Sequence, residues 1–592
     1  MLPKALQLIQ GVPSLFPKIN GFVLIPNETG ALVGIISWMG IEYSPYPKRK
    51  GFRDFDVIDL PYPLRKISVN PLGILKFNRD SYELERGVFS FPSVGDVVVM
   101  PTQEQLQAIV ENKDDRARIK IGTSPLAANA PIKVDPDKLF GRHLAVLGNT
   151  GSGKSCSVAG LIRWSVEEAR KELKNRENIN ARFIILDPNG EYSTTFDDLG
   201  EKVRKFRVKL DTVNDKSKQL RVPAWMWNSY EWSAVTHASG KTQRPLLRRA
   251  LRELRSGQTE GIDDDKLQLR RYLSSCMVSL KTILNNGPSS FSEFPGKQNF
   301  GELIKSIKES ISGFYTLLPD GDLKSAINGF LQTIDTILSN HPLNRGYYPA
   351  FNRSDVTSII ESISQLSVHI GDLTPYSGPD EDSPVPFKGE DLPNHIQRLS
   401  QEQNVLQFLD FLIMRIRTML SDTRMASVIG TEPPLNFTDW LTDYIGKNNA
   451  ENGEIAIIDL SIVPSDVVHL VVAVIARIIF EALQRYRRMN GMELPTTIVM
   501  EEAHTFIRRY SESSDEISAD RMCCQTFERI AREGRKFGLG LLLSSQRPSE
   551  LSPTVLSQCN TFLLHRIVND RDQELVRRLI PDNLAQRRHL RP

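Results

Sequence analysis

A chain of 592 residues has room for about three or four domains at ~150 residues each, and 40% apolar with 24% charged side chains is ordinary globular composition. The 74 Lys and Arg against 71 Asp and Glu leave a net charge of only +3, which excludes overall basicity as a means of holding nucleic acid and leaves that task to local patches. Five scattered cysteines, Cys156, Cys276, Cys523, Cys524 and Cys559, contain no CxxC pair, which argues against a disulfide framework or a zinc site and for a reducing, cytoplasmic compartment.

The opening MLPKALQLIQ lacks the basic-then-apolar order of a secretory signal. Residues 1–120 carry short apolar runs, Gly21–Ile25, Ala31–Ile36, Val88–Phe91 and Val94–Met100, separated by Pro, Asn and Gly at the spacing of a small all-β unit. A compact N-terminal β-barrel is the expectation, followed by a linker over 121–138.

At 139 the pattern changes to strand alternating with helix, the mark of an α/β fold. His143–Ser155 reads HLAVLGNTGSGKS: an apolar run ends in Gly148, Asn149, Thr150, Gly151, Ser152, Gly153, Lys154 and Ser155, which fill every position of GxxxxGK[ST], and Cys156 continues into a helix expected to run to Lys174. Such a loop turns successive backbone N–H groups toward phosphates, with the lysine on the β- and γ-phosphates of ATP and the hydroxyl on Mg²⁺. A second buried strand, Ala181–Asp187, ends on a carboxylate before the turn Pro188–Tyr192. The carboxyl ends of parallel strands form the ligand crevice, so Asp187 and Glu191 face the phosphates; alternatively Asp187 caps its own turn.

The first core segment spans 139–224, and helical periodicity then takes over through 225–440, with polar loops at Asn285–Gln298 and Gly371–Glu390. Arg244, Arg248, Arg249, Arg252, Arg255, Arg270 and Arg271 recur there at helical spacing, and a solvated face or subunit contact accounts for them as well as DNA does. The second core segment, 441–592, opens with the strand Glu454–Leu460 and a helix from Pro464 to Met489. Within that helix Val467–Leu483 is interrupted by His469, Arg477 and Glu481 and falls short of the ~20 residues a bilayer requires, so it reads as a core helix and no membrane association is expected. Thr496–His504 is a strand ending in paired carboxylates, Glu501 toward a Mg²⁺-bound water and Glu502 toward the attacking water. The helix Arg521–Phe537 carries Arg529, Arg532, Arg535 and Lys536; the strand Gly538–Ser545 ends at Gln546, within reach of a γ-phosphate; and a last strand covers Thr561–His565.

GNTGSGKS, LDPNGEY, IVMEEAH, RIAREGRKFG and LLLSSQRPSEL, in this order and behind a barrel-like start, resemble the HerA branch of the HerA/FtsK motor ATPases over nearly the whole length. The resemblance implies a RecA-like P-loop (ASCE) parallel sheet with an N-terminal β-barrel and a large helical insertion. It implies a homo-oligomeric ring, a hexamer, with ATP sites at subunit boundaries and a central channel for double-stranded DNA. Carried over, it makes Lys154 and Ser155 the phosphate and metal residues, Glu501 the Mg²⁺-water ligand, Glu502 the catalytic glutamate and Gln546 the sensor, with Arg532 or Arg535 acting in trans and Arg142 a further candidate at the nucleotide. Bacterial HerA relatives pair with a nuclease or a sirtuin-type effector in antiphage defence, and the family chain continues past Ile580 into a strand-rich tail. A nucleotide-gated scaffold that assembles an effector enzyme is the alternative to a DNA motor. No Asp, Glu, His or Lys cluster outside the ATP site points to a second, nuclease centre.

Overall fold

A computed structural model describes residues 6–9, 12–15, 18–41, 65–78, 81–93, 95–111, 119–127, 129–172, 179–208, 217–257, 264–318, 321–371, 379–402, 405–431, 434–446, 454–510 and 518–579. The chain divides into two compact units, one of residues 1–223 with 421–592 and one of 224–420.

The first unit starts with a two-stranded ladder, β1 (Leu6–Ile9) and β2 (Val12–Leu15), and a four-stranded antiparallel sheet in sequential order, β3 (Phe22–Asn27), β4 (Gly30–Ile41), β5 (Arg65–Asn78) and β6 (Ser81–Arg86). The helix Gln103–Val110, closed at its start by a reciprocal Thr102/Gln105 capping box, covers this sheet through Ala108 and Ile109 against Leu24, Val33 and Leu75. Closure into a barrel is not seen among the described residues, where the sheet is an open meander with an added bridge from Leu24 to Val99. The strands expected at Val88–Phe91 and Val94–Met100 do not form. Gly87 and Gly95 adopt φ +113° and +105°, which breaks the extended run, and Phe89 and Phe91 lie on the surface; Val94 itself falls outside the described residues. The strands that do form, β5 and β6, interleave charged outward residues (Lys66, Lys76, Glu83, Glu85) with the apolar ones, which hides them from a search for apolar runs.

A short ladder, β7 (Ile119–Ser124) with β8 (Ala130–Val134), leads into an eight-stranded, wholly parallel sheet. Its strands are β9 (Leu144–Leu147), β10 (Arg182–Asp187), β11 (Val203–Arg207), β12 (Lys218–Gln219), β13 (Ile455–Asp459), β14 (Thr496–Met500), β15 (Leu539–Ser545) and β16 (Thr561–Leu564), ordered β12-β11-β13-β10-β14-β15-β9-β16. Every residue of β9, β10, β14 and β15 is buried, as required of strands covered on both faces, and this is why LAVL, RFIILD, TTIVM and LGLLLSS lack the two-residue alternation of a half-exposed sheet. Helix Ser465–Asn490 buries thirteen of its residues, so Val467–Leu483 is interior, and no helix of the described residues is long and apolar enough to cross a membrane. The Phe437–Ile445 helix belongs to this unit: Trp440 donates its indole N–H to the Arg221 carbonyl (2.8 Å) and stacks on Tyr444, which stacks on Phe206 of β11.

The second unit, Ala224–Leu420, is helical. Its principal core joins the helices Asp264–Asn286, Gly296–Leu317, Asp322–Asn340 and Arg353–Ile370 through Leu269, Leu273, Phe300, Ile304, Ile327, Phe330, Ile359 and Ile363.

His143, fully buried at the amino end of β9, ties this strand to its neighbours: Nε2 lies 2.8 Å from the Ala531 carbonyl and Nδ1 accepts the Leu541 N–H at 3.0 Å. One nitrogen must accept while the other donates, so the ring is neutral; burial lowers its pKa, and the nearby Arg535 charge acts in the same direction. His143→Leu is expected to lower unfolding stability by about 2–4 kcal/mol, because a buried N–H and a buried carbonyl both lose their partner. As pH falls below the ordinary histidine value of 6.5, the unfolded chain takes up a proton that the folded chain resists. Wild-type stability therefore declines below pH 6.5, and denaturant titrations across that range should show a shallower decline in the variant.

Candidate nucleotide site

β9 delivers the chain into the loop Gly148–Gly153, and helix Lys154–Glu172 leaves it. Gly151 and Gly153 take φ +70° and +89°, the left-handed region that a side chain resists. Gly148 is required for a different reason: a Cβ there would lie 2.4 Å from the Cβ of His565. The segment after β16 braces the loop from outside. His565 Nδ1 lies 2.7 Å from the Ser152 carbonyl, the Asn149 N–H donates to the Arg566 carbonyl, and Asn149 Oδ1 accepts the Val568 N–H at 3.1 Å. Nothing in the spacing of residues 565–568 signals this role. Lys154, only 5% exposed, rests its ammonium on the Asn149 carbonyl at 3.0 Å, held beside the loop with no carboxylate paired to it among the described residues. Cys156 is exposed on the helix that follows.

Four strand ends converge on one carboxylate. Glu501, 1% exposed at the end of β14, has Oε1 within 3.1 Å of the Ser155 hydroxyl and 2.9 Å of the Ser544 hydroxyl from β15, and its Oε2 accepts the Tyr192 hydroxyl at 2.9 Å. Burial raises its pKa, opposed by these three hydrogen bonds. The Ser155 hydroxyl also lies 2.8 Å from Glu191 Oε2. Asp187, fully buried at the end of β10, spends its oxygens on its own turn, accepting the Asn189 N–H at 3.2 Å and the Tyr192 N–H at 2.8 Å. Of the two carboxylates in LDPNGEY, then, Asp187 shapes the turn and Glu191 reaches Ser155. Tyr192 and Ser544, which carry no motif signature as donors, are the supports that sequence reasoning missed.

Glu502 sits at φ +46°, ψ +47°, a left-handed conformation that is uncommon for a residue with a side chain and costs of order 1–3 kcal/mol. The strain turns successive carboxylates apart, Glu501 inward to the serines and Glu502 toward the loop. Thr150 Oγ1 donates to Gln546 Oε1, and the Gln546 amide donates to Glu502 Oε1, so the loop, the end of β15 and the end of β14 form one hydrogen-bonded chain. Glu502 Oε2 is buried without a hydrogen bond from any of the described residues; His504 Nδ1 stands 3.2 Å away but out of line. A carboxylate oxygen in that state is a ready acceptor for a water molecule.

Arg142, Arg532 and Arg535 do not join this site within one chain. Arg142 precedes β9 and the turn Gly534–Phe537 precedes β15, whereas the loop and Gln546 follow those same parallel strands. About 20 Å of strand therefore separates the arginines from the phosphate loop.

No group of three or more His, Cys, Asp or Glu side chains among the described residues is arranged to hold a metal. The Ser155 hydroxyl with Glu501 and Glu191 is instead an all-oxygen set of the kind that suits Mg²⁺, which keeps several waters and takes its remaining ligands from phosphate.

Residues 119–345 match the family described as Helicase HerA, central domain. The chain is 24% identical over 482 residues to the DNA double-strand break repair helicase HerA of Pyrococcus furiosus, covering 81% of this chain and 66% of that protein. It is 21% identical over 583 residues to the probable helicase MJ1565 of Methanocaldococcus jannaschii, covering 96% and 80%. The structure of VirB4 of Thermoanaerobacter pseudethanolicus covers 79% of this chain and 89% of its own at 12% identity, with a TM-score of 0.35.

Gly148→Ala should weaken nucleotide binding by about tenfold or more, since the methyl group drives the loop off its brace at His565. Titration with a fluorescent ATP analogue reads this directly; unchanged affinity would show that the brace does not set the loop.

Proposed function

We propose that this chain, a HerA-type ATPase by its motifs and its relatives, drives a homo-oligomeric ring, a hexamer, along double-stranded DNA by hydrolysing ATP at the boundaries between copies. The observation that carries the reading is the division of labour along one sheet. The phosphate loop, Glu501, Glu502 and Gln546 stand at its carboxyl end, and Arg142, Arg532 and Arg535 at its amino end. From there an arginine reaches a phosphate only if the phosphate is bound by another copy. Arg532 and Arg535 are both exposed, as a group acting across a boundary must be. The P. furiosus relative is named a DNA repair helicase, which supports duplex DNA as the track.

In this reading Lys154 and the loop amides hold the β- and γ-phosphates, and Ser155 and Glu501 hold Mg²⁺. Bound there, the ion would neutralise charge developing on the phosphates. Glu502, its Oε2 unclaimed, orients the attacking water in line and takes up its proton. Gln546 links Glu502 to Thr150, so movement of the loop on loss of the γ-phosphate is passed to the end of β15. Arg535 or Arg532 of an adjacent copy stabilises the transferring phosphoryl group. Contact with DNA is to backbone phosphates, independent of sequence and steeply weakened by salt. The five free cysteines, four of them buried, fit a cytoplasmic setting, and a nuclease or sirtuin-type effector is the partner we assign to the ring.

Linear duplex DNA should stimulate ATP turnover by a large oligomer, and Lys154→Ala should abolish it. Glu502→Gln should retain nucleotide and ring while slowing turnover by about a hundredfold or more. Turnover indifferent to DNA would favour a scaffold over a motor. Arg535→Ala and Lys154→Ala subunits, each inactive alone, should regain partial ATPase activity when mixed, because a mixed boundary can hold one intact loop and one intact arginine. Absence of any gain, with mixing verified by mass, would remove Arg535 from the site.

A further inference from the structure

The helical unit sorts six of the seven arginines of its basic stretch into two kinds. Arg255 is 2% exposed and donates to the Trp225, Trp227 and Glu381 carbonyls. Arg249 and Arg271 both pair with Glu253, which also accepts from His395 Nε2 at 2.8 Å; these bonds outweigh burial and hold its carboxyl down at about 2. Arg252 is paired with Glu381. Arg244 and Arg248 are different. Among the described residues Arg244 spends only Nε, on the Ala238 carbonyl at 2.9 Å, and Arg248 is exposed with no acidic partner.

These two guanidinium groups line one open cleft of about 520 Å³ together with Gly240, Pro245, Arg249, Arg252 and Glu381. Its volume lies within the range of small-ligand sites. Arg244, Arg248 and Arg252 recur every fourth residue on helix Gln243–Arg255, so like charges stack on one face. The first turn carries no acidic residue to offset Arg244, and the Thr242 side chain makes no cap bond, so the charge there also opposes the helix dipole. Glu381 relieves this at Arg252, but among the described residues no carboxylate does so at Arg244 or Arg248, where a bound anion would.

We propose that this cleft is a second anion site, separate from the phosphate loop, which takes the di- or triphosphate group of a small ligand between Arg244 and Arg248. Guanidinium forks match phosphate oxygens two at a time, and two forks one helical turn apart suit a short phosphate chain. Among the described residues the lining has no aromatic ring on which a base could stack, so the site reads the phosphates alone. A nucleic acid strand fits less well. Its backbone would be followed by a long basic stripe, whereas here the cleft is short and Glu381, paired with Arg252, interrupts its basic lining.

The test is calorimetric titration of inorganic tripolyphosphate into the full chain carrying Lys154→Ala, which silences the phosphate loop and makes the outcome independent of the motor reading. Binding should persist there and weaken by about tenfold or more on adding Arg244→Gln with Arg248→Gln, with circular dichroism and thermal midpoint unchanged. Arg248→Lys, which keeps charge but loses the fork, should fall between and serves should the double variant misfold. ATP should bind this site no more tightly than tripolyphosphate. The proposal is overturned by absence of tripolyphosphate binding in the Lys154→Ala chain, by binding the double variant leaves unchanged, or by ATP binding that tripolyphosphate cannot reproduce. It is equally overturned if the double variant loses duplex DNA and keeps tripolyphosphate, which would make the face a nucleic-acid surface.

Discussion

Everything at the candidate site depends on satisfying one carboxylate where water is scarce. A buried Glu501 is costly unless its oxygens are hydrogen-bonded, and the bonds come from three other strand ends: Ser155 after β9, Tyr192 after β10 and Ser544 within β15. The requirement is reciprocal. The carboxylate is tolerated because these donors converge, and the donors are held in register because each satisfies a buried acceptor. Strand order β10-β14-β15-β9 is what brings them together, so the sheet's topology and the chemistry at its edge are a single constraint.

Glu502 shows how adjacent residues acquire separate tasks. A regular strand already sends consecutive side chains to opposite faces, but a carboxylate beyond the strand end has no such guidance. The left-handed backbone at Glu502 supplies it, and the Thr150–Gln546–Glu502 chain holds the result. The strain is confined to the residue just beyond the paired end of β14, where the backbone turns out of the sheet.

Much of this architecture was legible in the sequence, for identifiable reasons. The buried strands β9, β10 and β13 to β15 are continuous apolar runs bounded by turns or carboxylates, and GNTGSGKS has a backbone requirement that few other contexts impose. The residues that escaped act through space. Tyr192, Ser544 and the His565 brace are ordinary side chains until the sheet assembles. The arginine stretch was visible as a pattern, but its division into partnered and unpartnered members depends on Glu253 and Glu381, the second of which is remote in sequence. At the amino terminus the apolar runs mark β3 and β4, but Phe89 and Phe91 form an apolar run that lies exposed outside any strand, and the charged alternation of β5 and β6 conceals two strands that do form.

The pairing of the large sheet bears on how the chain is made. β9 lies between β15 and β16, and β10 between β13 and β14, all four encoded after the helical unit. On a ribosome, then, LAVL and RFIILD emerge before any strand that can pair with them, and both remain open until residue 455 and beyond has been synthesised. The helical unit is one continuous segment that needs no later strand to complete its core, so it meets no such delay and is free to fold first. Nascent chains of this protein thus carry unpaired apolar strands past some two hundred residues of helix, the condition under which general chaperones are engaged and truncated products aggregate.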